Sequence, residues 1–149
     1  MIDRIQKTDA FEWLGVTYRI ALSTKETAGA MSIVDCLAPV GSSPPRHVHQ
    51  DEDECFVVLT GHCEFWLEGK SFTRKPGETA FIPRGIEHTF RVIGDMPSRH
   101  LVVLTPGGFE QFFREMAKGH CRLPEDMPTV KASAARHGLT FTGPPLGDF

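Results

Sequence analysis

The stretch GSSPPRHVHQDEDECFVVLTG, residues 41–61, decides the fold. It opens on a turn rich in Gly, Ser and Pro, presents imidazoles at His47 and His49, crosses the acidic residues Asp51, Glu52 and Asp53, and then runs through apolar residues to Gly61. The two-residue spacing of the histidines carries information. In an extended chain alternate side chains share a face, so both rings point the same way, whereas on a helix they diverge. Glu54 begins the apolar run and shares its face with Phe56 and Val58. Its carboxylate is therefore expected at the mouth of an apolar interior.

Further along, GETAFIPRGIEH, residues 77–88, reads as strand, tight turn and strand, and would bring a third imidazole, His88, to the same mouth. Three neutral nitrogen donors and one carboxylate suit one divalent transition metal (iron, manganese, nickel, copper, cobalt or zinc) and suit calcium or magnesium badly. Four protein ligands on an ion that accepts five or six leave positions open for substrate, water or dioxygen.

Around these two stretches the chain is punctuated by Gly and Pro at short intervals. Strands are expected at 16–22, 31–37, 54–59, 63–67, 79–82, 88–92 and 101–104, the pattern of an antiparallel sandwich or barrel. After Pro106-Gly107-Gly108 the period changes. Phe109, Phe112, Phe113 and Met116 fall at helical spacing before Gly119, predicting an amphipathic helix whose apolar stripe packs on the barrel wall or a second subunit. A second helix is expected over about 128–136, stopping at Gly138, and the stretch 141–149 should be irregular.

With 149 residues the chain is expected to form one domain, a barrel core over about 12–106 with a helical and irregular extension over about 107–149. A formal net charge of -3 with scattered basic residues gives no reason to expect nucleic acid as partner. The apolar run 101–104 is far short of the roughly 20 residues that span a bilayer, and Met1-Ile2-Asp3-Arg4 does not begin a signal peptide, so no membrane association and a cytoplasmic location are expected. Cys36, Cys55, Cys63 and Cys121 show no CxxC spacing and read as free thiols, Cys55 as a small buried apolar residue facing away from Glu54.

The two motifs resemble the conserved motifs of the cupin superfamily. Gly41, His47, His49, Glu54 and Gly61 fall where the first motif wants them, and Gly77, Pro83, Gly85 and His88 match the second, with Val92 where that motif often ends in Asn. The resemblance implies an all-β cupin jelly-roll β-barrel, here with short C-terminal α-helices, metal ligands His47, His49, Glu54 and His88, and a homodimer. Residues 105–110, TPGGFE, are similar to single-domain cupins likened to quercetin dioxygenases. Asp51, Glu52 and Asp53 compete with Glu54 as the carboxylate ligand. The six-residue interval to Gly61 selects Glu54 and leaves the others as a solvated acidic turn, with Glu52 the nearest rival.

His62, His100, His120 and His137 have no partner at ligand spacing and read as ordinary hydrogen-bonded histidines. Arg46, Arg84 and Glu87 read as loop charge beside the ligands. Phe56, Val58, Phe81 and Phe90 should face inward if alternation holds, which favours a small, partly aromatic or apolar ligand. The resemblance implies a metal-dependent dioxygenase acting on a small organic substrate, with Glu54 also acting as a base. A non-oxidative metal-dependent isomerase or lyase and a non-catalytic small-molecule-binding module are the alternatives.

Overall fold

A computed structural model describes residues 9–147. Residues 1–4, read above for an export signal, and 148–149, the end of the expected irregular tail, lie outside the described residues. Eleven strands and two helices are formed among those described: β1 (Phe11–Trp13), β2 (Val16–Leu22), β3 (Ser32–Ala38), β4 (Arg46–His49), β5 (Asp53–Thr60), β6 (His62–Leu67), β7 (Lys70–Arg74), β8 (Thr79–Ile82), β9 (His88–Ile93), β10 (Ser98–Thr105), α1 (Glu110–Lys118), α2 (Met127–Arg136) and β11 (Leu139–Gly143). The strands make two antiparallel sheets, ordered β1-β2-β3-β10-β5-β8 and β11-β4-β9-β6-β7. This is the jelly-roll barrel expected, with two short helices after it.

The core lies between the sheets. In β5 and β10 alternate residues are buried, as a strand with one face inward requires. Phe56, Val58, Val102 and Leu104 meet Phe65 and Val92 from the opposite sheet. Removing an aromatic anchor such as Phe56 by truncation to Ala would cost about 3–5 kcal/mol. The motif glycines have different structural roles. Gly61 turns β5 into β6 at φ +73°, and a Cβ there would stand 2.5 Å from the Pro97 carbonyl oxygen. Gly41 donates its N–H to the Val92 carbonyl at 2.9 Å, and the Val92 N–H bonds the Ser42 carbonyl at 3.0 Å. The backbone of Val92 thus ties the first motif to the second without a side-chain amide there.

Three expectations need correction. β11 occupies the first part of the supposedly irregular 141–149 stretch and pairs with β4, Leu139 opposite His49 and Phe141 opposite His47. Phe81 is 59% exposed, because β8 pairs with β5 so that Ile82 lies opposite Glu54 and Phe81 opposite Cys55, on the outward face. Cys55 accordingly is half-buried and not a core residue, while Cys36, Cys63 and Cys121 are buried, and all four thiols are free.

The helices close one end of the barrel. Glu110, completely buried at the start of α1, accepts N–H groups from Thr24 at 2.7 Å and Gly108 at 2.8 Å, which fixes the helix against the β2–β3 turn. Phe109, Phe112 and Met116 are buried on its inner face. Glu115 on the same helix accepts hydrogen bonds from Ser133 Oγ at 2.5 Å, His137 Nε2 at 3.0 Å and Arg136 at 3.2 Å, tying α1 to α2 and its end. No described helix is long and apolar enough to cross a membrane.

Candidate metal centre

β4 is extended, so His47 and His49 project to one face, as their spacing predicts. β9 lies beside β4 with His88 directly opposite His47, and Glu54 enters from β5 in the other sheet. All four side chains are buried, and each offers a ligand atom within 4.8 Å of the others. Metal–ligand bonds of about 2.0–2.2 Å place donors on opposite sides of one ion roughly 4.0–4.4 Å apart, so the set needs only slight contraction to enclose an ion.

The hydrogen bonds around the cluster prepare it for that role. His47 Nδ1 lies 2.7 Å from the Pro45 carbonyl and His88 Nδ1 2.8 Å from the Ile86 carbonyl. A carbonyl only accepts, so both Nδ1 atoms carry protons and both Nε2 atoms present lone pairs. His49 Nδ1 meets Glu52 Oε2 at 3.3 Å, a carboxylate–imidazole pairing that orients a ligand and raises its basicity. His88 Nε2 and His49 Nε2 in turn lie 2.8 and 3.4 Å from the same Glu54 oxygen. A bare imidazole nitrogen and a carboxylate oxygen at 2.8 Å are two acceptors that require a cation or a proton between them. The donor set therefore fits a divalent transition metal, with His47, His49, Glu54 and His88 able to hold it.

The charges agree with this reading. Burial, with His88 and His49 adding to it, lowers the pKa of His47 to about 3, so its ring is neutral and donor-ready across the physiological range. Burial opposes the charge on His49, but Glu54 and Glu52 outweigh it and raise its pKa. Burial likewise works against an ionised Glu54, yet His49 and His88 hold its carboxyl down to about 2. The centre keeps an anionic oxygen among imidazoles.

Glu52 was expected on a solvated turn and is instead buried against His49. Its position three residues after His49 is the signal that could have found it. Asp51 is exposed, and Asp53 forms an ion pair with Arg84 at 3.2 Å on the outer surface, so neither reaches the cluster. Arg46 is half-buried and lies over the Trp66 ring at 4.5 Å, a packed residue where a loop charge was expected. His62 and His120 are exposed, while His137 binds Glu115.

The cluster opens on a cavity of about 640 Å³ lined by Phe56, Phe90, Phe109, Phe112, Phe113 and Phe141 among others. Phe109 stands edge-on to His49 with ring centroids 4.4 Å apart. The aromatic stripe of α1 is thus the lid of this cavity as well as a packing face. The volume lies within the roughly 300–1,000 Å³ of small-molecule sites.

Residues 34–104 match the family model described as Cupin domain, and that segment of the chain is a cupin domain. Quercetin 2,3-dioxygenase of Bacillus subtilis is 30% identical over 106 residues, which cover 69% of this chain and 31% of that enzyme. The chain therefore spans under a third of that relative's length. Among solved structures, KdgF from Halomonas sp. superposes with a TM-score of 0.63 at 20% identity, covering 70% of this chain and 94% of the other. A protein of Thermotoga maritima described as a predicted oxalate decarboxylase gives 0.58 at 26% identity, covering 61% and 80%.

Proposed function

We propose that the chain is a metal-dependent dioxygenase acting on a small enolic or aromatic substrate, with its metal on His47, His49, Glu54 and His88. The observation that carries this reading is the position of the cluster: four buried ligand side chains stand together, and three of them, His47, His49 and Glu54, line an aromatic cavity large enough for a ring system. The likeness to a quercetin 2,3-dioxygenase supports it. When bound, a divalent transition metal supplies a charge that draws in a chelating enolate or catecholate oxygen and a redox centre through which electrons reach dioxygen.

The chain's own residues do the rest. Carbonyls at Pro45 and Ile86 and the Glu52 carboxylate keep the three imidazoles in the donor tautomer and orientation. Phe109, Phe112 and Phe113 exclude water and offer flat apolar surface to an aromatic substrate. Glu54, ionised within a buried site, is positioned to accept a proton from a substrate hydroxyl as that hydroxyl approaches.

A non-oxidative isomerase or lyase draws support from the likeness to the predicted oxalate decarboxylase. Oxygen uptake separates the two. Protein loaded in turn with iron, manganese, nickel, copper, cobalt and zinc is expected to consume oxygen with at least one member of a panel of enols, catechols and flavonols, and His49→Ala to return uptake to background. Conversion of a panel member at the same rate under nitrogen would overturn the dioxygenase in favour of the non-oxidative reading. No conversion at all by metal-loaded protein would overturn both.

A further inference from the structure

His100 makes no contact with the ligand cluster, yet it lines the same cavity. It is 2% exposed, on β10, with its ring 5.6 Å from Phe56 and 5.4 Å from Phe90. Its Nδ1 lies 3.0 Å from Ser98 Oγ. Its Nε2 has no hydrogen-bond partner among the described residues, and the residue lines the cavity.

The surrounding bonds decide which nitrogen carries the proton. The Cys63 thiol donates to Ser98 Oγ at 3.3 Å. The Ser98 hydroxyl is completely buried, and among the described residues His100 Nδ1 is its one acceptor. A buried hydroxyl without an acceptor costs about 1–3 kcal/mol, so Ser98 donates to Nδ1 and the ring proton sits on Nε2. Burial lowers the pKa of His100 to about 4, so the ring is neutral and offers this single N–H to the cavity. An unpartnered donor on a residue that lines an aromatic cavity is suited to bind a ligand oxygen.

Strand register gives the span. Leu104 pairs with Glu54 and His100 with Val58, so the two sites are four residues apart along β5, about 13 Å at roughly 3.3 Å per residue. Val58, Phe56 and Glu54 share the inward face between them.

We propose that His100 is a specificity-determining residue: its Nε2–H binds a carbonyl or hydroxyl oxygen at the end of the substrate remote from the metal. The substrate class that satisfies both ends is an elongated, flat, neutral aromatic of two or three rings with a chelating oxygen pair at one end and a further oxygen at the other. The near end of this assignment rests on the metal-dependent reading above, and the far end stands on the cavity and the Cys63–Ser98–His100 chain alone.

The test uses two probes under nitrogen: 3-hydroxyflavone, which has the chelating oxygens only, and quercetin, which adds further hydroxyls, some of them on ring positions remote from that pair. Affinity is measured by titration calorimetry on metal-loaded wild type, His100→Phe and His100→Gln, with metal content measured in each. Wild type should prefer quercetin by about tenfold, the effect of satisfying one buried donor. His100→Phe should abolish the preference by weakening quercetin alone, and His100→Gln, which keeps an amide donor, should restore part of it, with metal content unchanged throughout.

Equal affinity of wild type and His100→Phe for quercetin would overturn the assignment. Wild type without metal would sink the metal-centre reading, while the contrast between the probes would still decide His100. If His100→Phe does not fold, ¹⁵N-histidine spectra of the wild type decide the matter. The expected result is an Nε2-protonated ring whose signal moves when quercetin binds, and an Nδ1-protonated ring or an unmoved signal would contradict the proposal.

Discussion

At the scale of single residues, the centre depends on groups that do not touch the ion. Glu52 holds His49 through Nδ1, so Glu52→Ala should leave the ligands in place but let the imidazole turn. A loss of about 10–100-fold in metal affinity is expected, the usual effect of removing an orienting carboxylate. Asp53→Ala, next in the chain but paired outward to Arg84, should leave affinity unchanged. Competition with a fluorescent chelator reads both, and equal effects would show that local charge and not orientation matters. The four ligand candidates were legible in the sequence because their spacing already encodes alternation and two turns. Glu52 was not, since a turn residue's direction depends on how the chain enters β5. The outward direction of Phe81 is hidden for a related reason. Alternation gives two faces but not which one is inward, and only the pairing of Ile82 with Glu54 settles it.

Among the elements, α1 matters most to the cavity, because Phe109, Phe112 and Phe113 form part of its wall. Glu115 ties this helix to α2. Hydrogen bonds from Ser133 and His137, and less so Arg136, hold its carboxyl down to about 2. A carboxylate depressed in the folded state contributes stability that is complete above its ordinary value of 4.5 and is lost as pH falls toward 2. With the side chain 41% exposed the contribution is small. Glu115→Gln should therefore reduce the acid sensitivity of helix docking between pH 4.5 and 2, at the expense of some stability at neutral pH. Near-ultraviolet circular dichroism of the wild type and Glu115→Gln over that range checks it, and identical acid profiles would contradict it. α1 itself was readable from the spacing of its phenylalanines. β11 is hard to see in the sequence, although Leu139-Thr140-Phe141-Thr142 alternates apolar and polar residues, because the Gly and Pro that follow give the whole tail an irregular composition.

For the whole molecule, two sheets bring residues from three strands to one point, and the helices cover the cavity that opens there. No short-range pattern contains that cavity or His100's place in it. The inward direction of His100 follows from the pairing of β10 with β5, a long-range register invisible in a single sequence. His47, His49, Glu54 and His88 together are proposed to bind one transition metal. Elemental analysis decides this, on wild type expressed with mixed metal supplements beside His49→Ala and His88→Ala. Near-stoichiometric metal is expected in the wild type and loss of it in both variants, with folding retained by circular dichroism. Equal metal content in all three proteins, or none in any, would contradict it.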